Sequence, residues 1–120
     1  MTEVLIVDDS AVVRKIARRV LEGMALTASE AESGNDGLVI CSLAMPDAVL
    51  IDSDIPDIDS CEFVKRLRRL PGGDHPKVVI CASENDPPSL ARTIYAGADD
   101  FVLKPLEGDL LRSKFSNVVR

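Results

Sequence analysis

The sequence predicts an α/β fold: a single doubly wound domain in which a five-stranded parallel sheet carries helices on both faces. Three observations lead there. Short apolar runs alternate with segments of helical spacing all along the chain. The runs are continuous rather than alternating with polar residues, which suits strands covered on both sides. The length, 120 residues, is that of one domain with a sizeable core and falls short of the size at which chains split.

The first strand is expected at residues 4–7, V-L-I-V, running into Asp8 and Asp9. Val12, Val13, Ile16, Ala17, Val20 and Leu21 then recur at helical spacing, with Arg14, Lys15, Arg18 and Arg19 opposite. The first helix should therefore bury the apolar set and solvate the basic one, with Gly23 at its C-cap. A weaker strand is expected near residues 26–31. Leu38, Val39, Ile40 and Leu43 suggest a second helix, interrupted by Gly37. Residues 48–51 form the third strand and end in Asp52. Phe63, Val64 and Leu67 define the third helix, whose Lys65, Arg66, Arg68 and Arg69 read as a solvated face. The turn P-G-G-D-H-P closes it. A fourth strand is expected at 78–81, and a fourth helix follows Pro87 and Pro88 on Leu90, Ala91, Ile94 and Tyr95. The fifth strand is 101–103, and Leu110, Leu111, Phe115 and Val118 belong to the last helix.

Composition excludes several classes of function. A net charge of −6 argues against nucleic acid as a direct partner. No apolar run approaches bilayer length, so no membrane insertion is expected. The N-terminus has no basic region and no cleavage site of a signal peptide, so the protein is expected to stay in the cytoplasm. Cys41, Cys61 and Cys81 are odd in number and widely spaced, as reduced core residues are. His75 lies in a Gly/Pro turn and reads as a surface residue.

In open α/β sheets the functional crevice lies at the carboxyl ends of the strands, where the winding reverses. Asp8 and Asp9 end the first strand, Asp52 ends the third with Asp54 just beyond, Ala82, Ser83 and Glu84 end the fourth, and Lys104 with Pro105 ends the fifth. Carboxylates gathered there repel by about 4 kcal/mol per pair at about 4 Å when the effective dielectric is about 20. A cation resolves this. Carboxylates with a backbone carbonyl form a hard oxygen site suited to Mg²⁺, and Lys104 adds a point charge for a further anionic oxygen, so the crevice suits a phosphoryl group beside a metal. The plain alternative, acids that are solvated or cap helices, fits Asp59 and Ser10 better than it fits Asp8, Asp9, Asp52 and Lys104 together.

The aspartate pair after the first strand, the D-x-x-x-P run from Asp52 to Pro56, and A-G-A-D-D-F-V-L-K-P ending at Pro105 resemble the receiver domain of two-component response regulators. The resemblance covers residues 1–120, and in length the chain is similar to the stand-alone, chemotaxis-type receivers. It implies a flavodoxin-like (βα)5 fold with strand order 2-1-3-4-5. It further implies that Asp52 is the phosphoacceptor, taking a phosphoryl group from a phosphohistidine on a histidine kinase or histidine phosphotransfer protein. Mg²⁺ would be held by Asp8, Asp9, Asp52 and the backbone carbonyl of Asp54, and Lys104 would pair with the phosphoryl oxygens. Phe101 occupies the position of the aromatic switch, and the signal would leave toward a protein target through the fourth helix, fifth strand and fifth helix. The domain would be regulatory rather than an enzyme.

Two positions depart from the family pattern. The hydroxyl residue that usually ends the fourth strand is Ala82, with Ser83 one later. The Asp-Gly of the loop after the phosphoacceptor is Asp59-Ser60, which lacks a residue free to take φ > 0. Ala82 keeps open a pseudo-receiver, a binding module that does not switch on phosphate. I-D-S-D-I at residues 51–55 also resembles the D-x-D of haloacid-dehalogenase-type phosphatases, but Pro56 stands where that motif has Thr and the chain leaves no room for a cap. Asp54 and Glu84 are expected at the rim, either tuning access of a hydrolytic water or simply solvated.

Overall fold

The computed structural model describes residues 2–82 and 87–118. Ser83 and Glu84 lie outside the described residues. The elements run β1 (Glu3–Val7), α1 (Ala11–Gly23), β2 (Thr27–Ala31), α2 (Gly34–Leu43), β3 (Ala48–Asp52), α3 (Ser60–Arg69), β4 (Lys77–Ala82), α4 (Pro87–Tyr95), β5 (Asp100–Leu103) and α5 (Gly108–Phe115). The strands form one parallel sheet in the order β2-β1-β3-β4-β5. The chain steps from β1 outward to β2, then returns to β3 on the other side of β1. The winding therefore reverses between β1 and β3.

The continuous apolar strands are the central ones. Along β1, β3 and β4 successive side chains enter opposite layers, as the two-residue period of a strand requires. Val4, Ile6, Leu50, Val79 and Cys81 pack against Leu21, Leu111 and Phe115 of α1 and α5. Leu5, Val7, Val49, Ile51, Val78 and Ile80 pack against Cys41, Phe63, Val64 and Leu67 of α2 and α3. The edge strand β2 buries only Ala28 and Ala31, which is why its sequence signal is weak.

Four local expectations are corrected. In α1, Arg14 is buried, while Val12 and Ile16 are 68% and 45% exposed. The helix is rotated because Glu30 of β2 draws the guanidinium inward, Arg14 Nε to Oε1 at 2.8 Å. The left-handed residue ending α1 is Ala25 (φ 63°), not Gly23. Leu26 N–H donates to the Leu21 carbonyl and Ala25 N–H to that of Glu22, which is a Schellman motif built on alanine. Gly37 does not interrupt α2. It lies in the buried face with Gly34 and Cys41, where a Cβ would stand 3.0 Å from Val7 Cγ2 and 3.2 Å from Phe63 Cε2. Arg68 is not solvated: it donates to the carbonyls of Gly73, Pro76 and Gly97 and pairs with Asp99 at 3.0 Å, tying α3 to the start of β4 and the approach to β5.

Candidate functional site

Two strand ends meet at the switch point. Asp8 follows β1, and its N–H donates to the Ala31 carbonyl at 3.1 Å. Asp52 is the last residue of β3, paired in register with Cys81. Asp8 and Asp52 are 3% and 4% exposed while Asp9 is open, and one carboxylate oxygen from each lies within 4.8 Å of the others. Lys104 enters from the end of β5, placed by its own N–H donating to the Ala82 carbonyl at 2.8 Å. Its Nζ stands 2.7 Å from Asp52 Oδ1, which also accepts from the Asp54 N–H at 3.2 Å.

The turn after β1 is pinned by local bonds. Asp8 Oδ1 accepts from Ser10 N–H at 2.9 Å, and Ser10 Oγ accepts from Val13 N–H as the N-cap of α1. Beyond the crevice, the remaining acids of the loop after β3 take other work. Asp57 accepts from the N–H groups of Gly34 and Asn35 at the start of α2, and Asp59 caps α3 through Cys61 N–H while pairing with Arg92 at 3.1 Å. Ser60 is the buried first residue of α3, and Asp59 before it is extended. The missing glycine therefore has no turn of positive φ to supply.

Electrostatics show strain that a cation would relieve. Burial pushes the Asp8 carboxyl up from its ordinary range; the Ser10 N–H opposes this, while the charges of Asp52 and Asp9 add to it. Burial pulls the Lys104 amine down, but its hydrogen bond to Asp52 and that residue's charge more than offset this, and the net direction is up. Three carboxylates against one ammonium leave an excess of negative charge in a pocket of hard oxygen donors. That donor set fits Mg²⁺. The Cys81 thiol nearby is pushed up to about 12 by burial, so it takes no part as a thiolate.

The structure thus gathers Asp8, Asp9, Asp52 and Lys104. Asp54 is exposed at the rim, in an open groove of about 510 Å³ that runs past Asp59 to Arg92. Ala82 is buried at the end of β4. Phe101 is half-buried and lines an apolar groove of about 480 Å³ with Leu90, Ile94 and Tyr95 of α4, with Lys114 Nζ 6.0 Å from its ring centroid. Sequence reasoning missed Arg14, whose Nη1 donates to the Asp8 main-chain carbonyl at 2.6 Å. Spacing alone gave no signal for it, because its partner Glu30 lies 16 residues away on the adjoining strand.

Strand order, winding and an acidic crevice with its lysine define a flavodoxin-like domain of CheY type. The chain belongs to the response regulator receiver domain family, whose model matches residues 4–116. Receiver domains are regulatory modules of two-component systems and interact with histidine kinases. Curated relatives include the KDP operon transcriptional regulatory protein KdpE of Escherichia coli K12, 36% identical over 105 residues that cover 88% of this chain and 45% of that protein. The chemotaxis protein CheY of Halobacterium salinarum is 29% identical over 117 residues, covering 98% of this chain and 96% of that one. Among solved structures, CheY4 of Vibrio cholerae superimposes with a TM-score of 0.92 at 24% identity over 98% of both chains, a likeness of fold. The chain spans less than two thirds of several relatives it matches, 45% of KdpE and 32% of the RpfG response regulator of Xanthomonas campestris. Among the described residues no helix is long and apolar enough to cross a membrane.

Proposed function

We propose that residues 1–120 act as one receiver domain that takes a phosphoryl group from a phosphohistidine onto Asp52. The observation that carries this reading is the convergence of three carboxylates within 4.8 Å with Lys104 Nζ 2.7 Å from Asp52. An Asp52 oxygen attacks phosphorus, the P–N bond to the donor imidazole breaks, and that nitrogen keeps the bonding pair. The product is an acyl phosphate, and the Lys104 ammonium then pairs with a phosphoryl oxygen. Asp8, Asp9, Asp52 and the Asp54 carbonyl would hold Mg²⁺, which when bound supplies positive charge for the phosphoryl oxygens. The domain works in the cytoplasm without contacting nucleic acid itself, and its signal passes to a protein target through α4, β5 and α5.

The family match weighs against a phosphatase, and one observation favours a variation on the receiver. Ala82, buried where the family usually has a hydroxyl, offers the phosphoryl group no side-chain hydrogen bond, so Asp52 is phosphorylated with little switching of Phe101. The test is incubation with phosphoramidate, whose P–N bond is that of phosphohistidine, followed by intact mass measurement with Mg²⁺ or with EDTA. A single Mg²⁺-dependent phosphoryl adduct, with no turnover of p-nitrophenyl phosphate, is expected. Turnover without an adduct would overturn the reading.

A further inference from the structure

We propose that Arg14 is a positioning residue for the acidic turn, holding the main-chain carbonyl of Asp8 while discharging its own charge on β2 rather than on the site. The geometry makes this division clear. Nη1 meets the Asp8 carbonyl at 2.6 Å, Nε meets Glu30 Oε1 at 2.8 Å, and Nη2 lies 3.8 Å from Glu32. All three faces of one guanidinium are used, and the residue is only 8% exposed.

A buried cation beside three carboxylates would ordinarily pair with one of them and compete with a metal. Arg14 pairs instead with Glu30 at 2.8 Å, which is shared with Arg18, whose Nε lies 2.8 Å from the other oxygen. The Glu30 carboxyl is held below its ordinary range, by the Arg18 hydrogen bond first and by that of Arg14 as well, so it stays ionised as the counter-charge. The carboxylates of Asp8 and Asp9 are left to the crevice, and the peptide that carries them is fixed from behind. Only a guanidinium spans the carbonyl and the glutamate at once; a lysine ammonium reaches one or the other.

The effect on metal affinity rests on the proposed Mg²⁺ site, but the turn can also be read without metal. The Ser10 amide donates to Asp8 Oδ1, so its hydrogen exchange reports whether the turn is held. Two measurements are made on the wild type, Arg14→Met, Arg14→Lys and Arg18→Met: Ser10 amide exchange in EDTA, and Mg²⁺ affinity from amide shifts in ¹⁵N NMR. Arg18→Met is the control, since it strips Glu30 of one partner without touching Asp8. Arg14→Met is expected to speed Ser10 exchange tenfold or more relative to core amides and to weaken Mg²⁺ binding about tenfold, with Arg14→Lys between it and the wild type. Arg18→Met is expected to leave both within twofold even where it lowers the melting temperature as much. Should Arg14→Met fail to fold, Arg14→Lys is judged by the same criteria. Absence of Mg²⁺ binding in the wild type would overturn the metal reading alone, and Ser10 exchange would still decide the role of Arg14. Exchange unchanged in folded Arg14 variants, or equally fast in Arg18→Met, would overturn the proposal.

Discussion

Asp8 and Asp52 show how one residue type serves opposite ends: they are nearly sealed from water, whereas Asp57 and Asp59 in the same neighbourhood cap helices. Mutual repulsion in the crevice leads to a first prediction. Asp9→Asn should raise stability in EDTA and cut the gain from Mg²⁺, which for the wild type at about 100 times the dissociation constant is about 2.7 kcal/mol; melting temperatures of both proteins with and without Mg²⁺ check it. The acids were legible in the sequence because their placement is local, a charge at the end of an apolar run. Arg14 was not, because helical periodicity counts a basic residue as solvated and cannot see a glutamate on the next strand. Glu30 also sets a pH dependence. Its folded pKa is depressed, with the Arg18 hydrogen bond foremost, so its contribution is present above its unfolded pKa of about 4.3 and is lost as pH falls through the lower folded value. Glu30→Gln should therefore flatten the fall in stability below about pH 4.3, measured by urea unfolding. Ala82 carries a third prediction. A hydrogen bond to a charged acceptor is worth roughly 1.5 to 3 kcal/mol, and without it the proposed switching of Phe101 on phosphate should be weak. Ring signals of Phe101 should move little on adding beryllofluoride and Mg²⁺ to the wild type and clearly more in Ala82→Thr.

At the scale of elements, glycines and arginines were harder to read than strands. Gly37 and Gly34 look like helix breakers in one dimension, yet they are the face by which α2 lies close against Val7, Phe63 and Ile58. Arg68 looks like one charge of a solvated run, yet it gathers three carbonyls and Asp99. Neither role shows in periodicity, because both depend on segments distant in the chain. Ala25 and Gly73 give contrasting tests. Ala25 holds φ 63° in the Schellman turn, a conformation that costs an L-residue about 1–2 kcal/mol, part of which glycine returns through its greater unfolded-state entropy. Ala25→Gly should stabilise by roughly 0.5–1 kcal/mol in denaturant unfolding. At Gly73 a Cβ would stand 2.0 Å from the Leu67 carbonyl oxygen and 2.8 Å from that of Leu70. Gly73→Ala should cost at least about 2 kcal/mol by the same measurement, since the carbonyls it meets belong to the end of α3 and cannot move aside as a flexible side chain would.

For the whole molecule, the alternation of apolar runs and helical segments was enough to foresee a parallel sheet covered on both faces, because burial on two sides forces the continuous runs of β1, β3 and β4. Strand order came from the family resemblance, as periodicity carries no information about which strands are neighbours. That order makes the site: with β2 and β3 on opposite sides of β1, the ends of β1 and β3 lie side by side and bring Asp8, Asp9 and Asp52 together, while β4 hands Lys104 its place through the Ala82 carbonyl. The proposed function comes down to phosphorylation of this one carboxylate, Asp52. Acetyl phosphate with Mg²⁺, followed by borohydride reduction of the acyl phosphate and peptide mapping by mass spectrometry, tests it most directly. Reduction is expected at Asp52 alone, absent in Asp52→Asn and without Mg²⁺. Modification at Asp8, Asp9 or Asp54, or equal labelling of wild type and Asp52→Asn, would contradict it.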